Sequence, residues 1–246
     1  MSSTSSFRAT HRQHLLVRDS KKDHRRIALY EHSYLVRLTH WVGAISISIM
    51  ILSGIEIFRA FPNFGPKIPQ NDLVSVPNWL GLGGWLGGSL QWHLTFVTPL
   101  IASGVVYVLY QAVSGNYRQA LFTAADIRGI WPMFRHYFLF GPKPELKESY
   151  NPLQKLAYTC AIVLGAVAVL TGLVLYKPVQ LSALAWILGG FAMVRLLHFG
   201  AMLGLASFIP GHLVMVALHG WGNFYSMIIG WKTGPVDKAA PPSKTH

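Results

Sequence analysis

The sequence has few charged residues and a single cysteine in a chain of 246 residues. Charged side chains make up 12% of the chain and hydrophobic ones 52%, which is typical of a membrane protein. The lone Cys160 excludes a disulfide framework, covalent haem attachment through CxxCH, and a cysteine-ligated zinc or iron–sulfur site. The sequence also lacks a phosphate-binding glycine loop and an HExxH motif. Any chemistry must therefore use the side chains that apolar segments carry.

Four apolar stretches are long enough to cross a bilayer, whose hydrocarbon core of about 30 Å needs about 20 helical residues. They run from His40 to about Phe58, from about Trp92 to Gln111, from Leu156 to Tyr176, and from about Val194 to Leu218. A shorter run over 179–194 lies too close to the fourth stretch to span separately, and we interpret it as a loop with an interfacial helical turn. The sequence predicts an all-α integral membrane protein, a four-helix transmembrane bundle.

The distribution of Lys and Arg predicts the orientation of the bundle, because short cytoplasmic loops hold the excess of positive charge. Eight of these residues precede the first stretch and six more lie in 112–155. The connections at 59–91 and 177–193 hold only Arg59, Lys67 and Lys177. We therefore expect both termini to be cytoplasmic. This topology accounts for the net charge of +12 without a nucleic-acid partner.

Three regions follow from this pattern. Residues 1–32 form a long, basic, polar segment without the short apolar core of a cleaved signal peptide. Residues 33–232 form the membrane domain, and 233–246 are predicted to be a disordered tail. The first apolar stretch is then expected to act as the signal anchor.

Five histidines lie in or at the ends of the apolar stretches, namely His40, His93, His198, His212 and His219. His198 and His212 are fourteen residues apart, which is about 21 Å along a helix and within roughly 40° of one face. In the expected topology, His93 and His198 share the outer level of the membrane. His40 and His212 share the cytoplasmic level. The sequence therefore predicts two pairs of imidazoles at two depths.

Two neutral imidazoles from different helices at one depth are the ligand set of a low-spin b-type haem, so the two pairs predict two haems. Zinc is a weaker interpretation because its sites usually need three or four protein ligands. A proton relay through histidine is a third interpretation, but it does not require matched pairs. Gly54 and Gly104 lie on faces where a helix is expected to pass a haem, although membrane helices also use glycine for close packing.

His219 does not fit this pairing. It lies twenty-one residues after His198, about 31 Å along a helix, which is too far for both to ligate haems in one hydrocarbon layer. At the cytoplasmic interface beside Trp221, His219 is a candidate to hydrogen-bond a quinone carbonyl or to pass a proton to it. The alternative is an interfacial histidine within an aromatic belt.

Four sequence motifs carry a family resemblance. They are RLTHW before the first stretch, WHLTFVTPLIASGVVYVLY in the second, YNPLQKLAY before the third, and RLLHF followed fourteen residues later by GHLVM in the fourth. Together they resemble the four-helix dihaem cytochrome b family, over about residues 33–232. This family includes the cytochrome b subunits of nickel–iron hydrogenases and of formate dehydrogenase, and bacterial cytochrome b561.

The resemblance implies a subunit of the bacterial inner membrane that takes electrons from a periplasmic catalytic or iron–sulfur subunit and delivers them to quinone. The YNPLQK motif and the fourth stretch are most similar to members that work with molybdopterin oxidoreductases. Electrons would pass between the His93/His198 haem and the His40/His212 haem. Arg195 is a candidate partner for a haem propionate, or an interfacial side chain that snorkels. Asn151, Gln154, His219 and Trp221 are candidates to line a quinone pocket.

Two other functions remain open at this point. The first is a stand-alone cytochrome b561 that couples a small reductant to quinone. The second is a non-redox membrane anchor or transporter, in which the histidines pack or relay protons. A non-redox anchor or transporter would contain no haem, which distinguishes it from both cytochromes. A stand-alone cytochrome b561 would transfer electrons to quinone without a partner subunit, which distinguishes it from a respiratory subunit.

Overall fold

The fold was obtained as a computed structural model, which describes residues 14–17, 26–60, 77–142, 144, 150–218 and 220–235. Four helices in it are long and apolar enough to cross a membrane. They are α1 (Tyr34–Ala60), α2 (Leu86–Ser114), α5 (Pro152–Tyr176) and α7 (Phe191–Leu218). The prediction of four apolar spanning helices is confirmed. Each helix begins three to six residues before its predicted first residue.

Four shorter helices complete the helical part that the structure describes. They are α3 (Tyr117–Ala120), α4 (Ile127–Phe138), α6 (Ser182–Ile187) and α8 (Trp221–Ile229). The six-residue helix α6 lies in the run over 179–194 and matches the helical turn expected there. Two 3-10 turns, Asn78–Leu80 and Ala124–Asp126, precede α2 and α4.

A small antiparallel sheet is the part of the fold that the sequence did not predict. Its strands are β1 (His14–Val17), β2 (Arg26–Tyr30) and β3 (Trp231–Pro235), in the order β1-β2-β3. The register pairs His14 with Leu29 in one ladder and Tyr30 with Trp231 in the other. The rings of Tyr30 and Trp231 meet edge to face, with centroids 5.2 Å apart.

The sheet changes how the two end regions are described. Residues 14–17 and 26–30 of the basic segment are strands, and residues 233–235 of the expected tail belong to β3. Residues 236–246 lie outside the described part of the chain. The division into three regions otherwise stays a prediction.

Two compact units make up the chain. The described residues of Met1–His40 and Leu213–His246 form one unit, which contains the sheet and α8. Trp41–His212 forms the other. In the first unit, the Arg37 guanidinium donates from Nη1 to the carbonyl oxygen of Ile228 at the end of α8. The carbonyl of Gly230, which ends α8 with a φ of 87°, accepts the backbone N–H of Glu31.

In the unit Trp41–His212, a few small and apolar side chains fill the interior. Val174 and Val194 are fully buried, and the rings of Phe58 and Phe199 lie 4.7 Å apart. Most large apolar side chains of the long helices are partly exposed, as at Val105, which is 51% exposed. Helices that face lipid need no polar outer surface, so this exposure is the expected arrangement for membrane spans.

Candidate functional site

The structure brings together one of the two predicted histidine pairs. His93, in the second turn of α2, and His198, in the second turn of α7, face each other with ring centroids 6.3 Å apart. Their ring planes are inclined by 68°. Both side chains are partly buried within the unit Trp41–His212. The ligand role of this pair stays a prediction.

A hydroxyl on α1 holds the first imidazole. The Nδ1 atom of His93 lies 3.0 Å from Oγ of Ser53. The Ser53 hydroxyl donates its proton to the carbonyl oxygen of Ile49, one turn earlier, at 2.7 Å. Ser53 is fully buried.

A hydroxyl on α5 holds the second imidazole in the same way. The Nδ1 atom of His198 lies 3.0 Å from Oγ1 of Thr171. The Thr171 hydroxyl donates to the carbonyl oxygen of Val167 at 2.6 Å. Thr171 is 1% exposed. The two histidines therefore have equivalent partners on two different helices.

These hydroxyls fix which nitrogen of each ring carries the proton. A hydroxyl has one proton to donate, and in both residues a backbone carbonyl takes it. With the hydroxyl proton hydrogen-bonded to the carbonyl, the hydroxyl oxygen accepts the hydrogen bond from the histidine, and Nδ1 is the protonated nitrogen. A neutral ring has only one N–H. The Nε2 atoms of His93 and His198 are consequently left with free lone pairs.

A glycine follows each hydroxyl residue and lets the helix backbone come close to the ring. A Cβ added at Gly54 would lie 3.4 Å from Cε1 of His93, and one added at Gly172 would lie 3.1 Å from Cε1 of His198. The sequence predicts that α1 passes a haem at Gly54, and in the structure Gly54 lies beside the ring of His93. Nothing lies within 4 Å of a Cβ added at Gly104.

The spacing of the pair fits a metal ion bound between the two rings. Two bonds of about 2 Å from imidazole nitrogens to one metal, with about 1 Å of ring depth on each side, separate the ring centres by roughly 6 Å. The observed 6.3 Å agrees with this value. Two nitrogen ligands are fewer than a zinc site needs, but they suffice for haem, whose porphyrin supplies the other four. Among the described residues, no cluster of three or more His, Cys, Asp or Glu side chains is arranged to hold a metal ion.

The second predicted pair divides between the two compact units. His40 lies in the second turn of α1, at the end of one unit, and His212 lies near the end of α7, in the other. Both side chains are partly buried. The ring of His212 stacks on Phe208, with centroids 5.6 Å apart and planes inclined by 17°. The pairing of His40 with His212 stays a prediction.

Asn151 and Gln154, two of the candidates for a quinone pocket, cap the start of α5. The Asn151 side chain accepts the backbone N–H of Gln154 at 2.9 Å, and the Gln154 side chain accepts the backbone N–H of Asn151 at 3.1 Å. This reciprocal pair is a capping box. Asn151 also donates to the Tyr137 hydroxyl at 3.3 Å, and burial raises the pKa of Tyr137. The structure therefore gives both residues a role in forming α5, and their contact with quinone stays a prediction.

The three other candidates have different positions. Arg195 is partly buried on α7, one turn before His198. Trp221 is the first residue of α8 and is 72% exposed, with its ring edge to face against Phe224. His219 lies outside the described residues.

Sequence reasoning missed Ser53 and Thr171. A serine or threonine in a membrane helix commonly bonds to the carbonyl one turn earlier, so its presence alone does not indicate a partner on another helix. The available signal is the repeated dipeptide of a hydroxyl residue followed by glycine, Ser53-Gly54 and Thr171-Gly172. Its meaning depends on knowing which helix faces which histidine.

Four long apolar helices and two imidazoles with ring centroids 6.3 Å apart are the arrangement expected of a membrane protein of the cytochrome b class. Comparison with protein families agrees. The chain belongs to the prokaryotic cytochrome b561 family, whose model matches residues 31–230. It is a multi-pass membrane b-type cytochrome, and membership of the family implies that it binds b-type haem.

Curated proteins from three bacteria are similar to this chain in sequence. The chain is 36% identical over 191 residues to a protein of Azospira oryzae named putative protein-methionine-sulfoxide reductase subunit YedZ1, covering 76% of this chain and 90% of that protein. It is 27% identical over 163 residues to a probable Ni/Fe-hydrogenase B-type cytochrome subunit of Azotobacter vinelandii, covering 63% and 62% of the two chains. A subunit of the same name from Cupriavidus necator is 25% identical over 156 residues, covering 61% and 59%.

Proposed function

We propose that this chain is a dihaem electron-transfer subunit that carries electrons between a periplasmic partner protein and the quinone pool of the bacterial inner membrane. The observation that carries the proposal is the His93/His198 pair, whose spacing of 6.3 Å fits one metal between two Nε2 atoms. His93 and His198 are the axial ligands of the outer haem. His40 and His212 are the ligands of the cytoplasmic haem.

The chain's own residues perform the positioning in this function. His93 comes from α2 and His198 from α7, so the packing of these two helices sets the separation of the two imidazoles. Bound haem supplies a reversible one-electron couple. Two such sites at two depths carry electrons across a layer that is too thick for a single site to span.

The relatives suggest the class of partner. The Azospira oryzae protein is aligned over most of its length, and its name assigns it to a methionine sulfoxide reductase. The hydrogenase subunits are aligned over about three fifths of theirs. We therefore favour a periplasmic reductase, of the molybdopterin oxidoreductase type expected from the YNPLQK motif, over a hydrogenase or another iron–sulfur subunit.

This choice sets the direction of electron flow. Reduction of a sulfoxide to a thioether consumes two electrons and two protons and releases water. Oxidation of one quinol supplies two electrons and two protons, so the chain would carry electrons from quinol outward to the reductase. With a hydrogenase as partner, the flow would run from the periplasm to quinone. Quinone binding is assigned to the cytoplasmic end, where Asn151, Gln154, Trp221 and His219 were predicted to line the pocket.

Haem content of purified variants tests the proposal. The wild-type chain should contain two b-type haems, measured by pyridine haemochrome assay against protein concentration. His93→Ala and His198→Ala should each contain one, and both should lose the same haem because they ligate the same iron. His40→Ala and His212→Ala should lose the other.

A matched control is His136→Ala. His136 lies on α4, and its Nδ1 forms a hydrogen bond with the carbonyl oxygen of Gly141. This variant should keep both haems. A wild-type chain with one haem, or a His93→Ala variant with two, would contradict the dihaem assignment. Turnover of quinol by the isolated chain, without a partner protein, would favour the stand-alone cytochrome b561 function.

A further inference from the structure

We infer that Ser53 and Thr171 are positioning residues that fix the ligating nitrogen of His93 and His198 and lower the reduction potential of the haem they hold. The inference rests on the proposed ligation of the outer haem by this pair. Neither hydroxyl touches the iron. Each acts through the imidazole to which it is bonded.

The first step of the argument is the commitment of the hydroxyl protons. Ser53 donates to Ile49 at 2.7 Å and Thr171 donates to Val167 at 2.6 Å. Both oxygens then accept from a histidine Nδ1 at 3.0 Å. Rotation of a hydroxyl to donate toward Nδ1 would abandon a short bond to a backbone carbonyl and would require the ring proton to sit on Nε2 instead. The tautomer with Nε2 free is therefore the one each site selects.

The second step is burial, which removes water as a competing partner. Ser53 is fully buried and Thr171 is 1% exposed. In a low-dielectric interior, a hydrogen bond is electrostatically stronger than it is in water, and a lost one is not replaced. Removal of either hydroxyl would leave the imidazole N–H with only a backbone carbonyl of the neighbouring helix, that of Met50 for His93 and that of Ala168 for His198, as an acceptor.

The third step is the effect of the bond on the ligand. A hydrogen bond from the distal N–H of a metal-bound imidazole to an oxygen acceptor raises the basicity of the ligand and fixes the ring orientation. A more basic ligand stabilises the oxidised iron more than the reduced iron. The reduction potential is therefore lower with the hydroxyl than without it. No proton is transferred in this step.

The last step is the repetition of the arrangement on two helices. The Ser53 hydroxyl on α1 forms a hydrogen bond with the imidazole on α2. The Thr171 hydroxyl on α5 forms one with the imidazole on α7. The two hydrogen bonds have separate donors and acceptors, so their effects should be independent and additive.

The experiment measures the potentials of both haems by optical redox titration in Ser53→Ala, Thr171→Ala and the double variant. Each single variant should raise the potential of one haem, and the same haem in both cases. The double variant should raise it by about the sum. The low-spin ferric EPR signal of that haem should shift, because the ring orientation is no longer held. Haem affinity at the site should fall by about tenfold.

Four control variants test whether the change in potential comes from the lost hydrogen bond. Thr171→Ser keeps the acceptor and should keep the wild-type potential. Ser48→Ala and Ser207→Ala each remove an exposed hydroxyl that bonds only to the carbonyl one turn earlier, and both should leave both potentials unchanged. Thr171→Val preserves side-chain volume, so it separates the loss of the hydrogen bond from a packing defect.

Unchanged potentials and EPR signals in Ser53→Ala and Thr171→Val would overturn the inference. A shift of both haems, or of the haem that survives in His93→Ala, would also overturn it. If His93→Ala retains both haems, the ligand assignment itself fails. If His93→Ala loses one haem while Ser53→Ala has no effect on potential, only the role of the hydroxyls fails.

Discussion

Gly172 faces a side chain that has no room to move. The ring of His198 is held at Nδ1 by Thr171 and, in the proposed function, at Nε2 by iron. A Cβ at position 172 would lie 3.1 Å from Cε1 of this ring, which is closer than van der Waals contact. The glycine is therefore required by the position of the neighbouring imidazole, and not by backbone conformation.

We expect Gly172→Ala to weaken haem binding at the His93/His198 site. Overpacking of this kind costs about 1–3 kcal/mol, which corresponds to several-fold weaker binding or more. The measurement is haem content per chain after dilution in detergent. Gly54→Ala should have a smaller effect, because its added Cβ would lie 3.4 Å from His93.

Gly165→Ala is the matched control on α5, since nothing lies within 4 Å of its added Cβ. It should keep the wild-type haem content. A loss of haem in Gly165→Ala as large as in Gly172→Ala would show that alanine disturbs these helices in general, and would contradict the steric explanation.

At the residue scale, the sequence predicts ligands better than the residues that support them. His93 and His198 stand out because imidazoles are costly in an apolar helix and helical spacing places them at one depth. Ser53 and Thr171 do not stand out, because a serine or threonine hydroxyl commonly donates its hydrogen bond to a carbonyl of its own helix. Their second contact depends on the rotation of α1 against α2 and of α5 against α7. Periodicity within one helix does not contain that information.

At the scale of elements, the start of α5 is anchored by a buried ion pair. The Lys155 ammonium donates to Oδ1 of Asp126 at 3.0 Å, and the two side chains are 4% and 10% exposed. The other carboxylate oxygen accepts the Thr123 hydroxyl at 2.7 Å and the Thr123 backbone N–H at 2.8 Å. The 3-10 turn Ala124–Asp126 is thereby tied to the first turn of α5.

Asp126→Asn should lower the thermal unfolding midpoint in detergent by several degrees, because a buried ammonium loses the carboxylate that faces it. The bonds from Thr123, and then the charge of Lys155, lower the pKa of Asp126. A lowered pKa means that the folded state favours the carboxylate. Its stabilising contribution is therefore full at neutral pH and is lost as the pH falls through the folded-state pKa.

The difference in midpoint between wild type and Asp126→Asn should consequently be largest near pH 7 and should shrink toward pH 3. Arg128→Gln is a control that removes an exposed charge two residues away, and it should change the midpoint little. A difference that grows on acidification would contradict this account of the ion pair.

The sequence predicts the long elements well and their contacts poorly. Hydropathy and length identify the four spanning helices because each backbone must satisfy its own hydrogen bonds in lipid. The capping box at Asn151 and Gln154 is also readable in the motif NPLQ, since both partners lie within one turn. The ion pair cannot be predicted from the sequence, because Asp126 and Lys155 are 29 positions apart and the helix α4 lies between them.

At the scale of the whole molecule, the orientation in the membrane is still a sequence-based prediction. Cysteine labelling tests it, because Cys160 is the only cysteine and can be replaced by alanine. In that background, Val179→Cys should react with a membrane-impermeant maleimide in intact cells. Gln119→Cys should react only after permeabilisation. Both positions are exposed in the structure.

The opposite labelling pattern would place both termini outside and would assign the His93/His198 haem to the cytoplasmic side. Labelling of both residues in intact cells would contradict a four-span topology. The Cys160→Ala chain, which has no cysteine, serves as the measure of background labelling.

The sheet was not predictable from the sequence, because the ladder between β2 and β3 joins residues about 200 positions apart. The segments at 14–17 and 231–235 are short, and each is weakly patterned when taken alone. The pairing of β2 with β3 connects the residues before α1 to those after α8. Such a pairing becomes visible only when the whole chain has been folded.

The ladder between β2 and β3 also constrains how often the chain crosses the bilayer. Backbone hydrogen bonds join the strand before the first span directly to the strand after the last. Both strands must therefore lie on one side of the membrane, and only an even number of crossings allows this. Because β3 is synthesised last, the sheet can close only after every span has been inserted. A closed sheet would thus mark a chain whose insertion is complete.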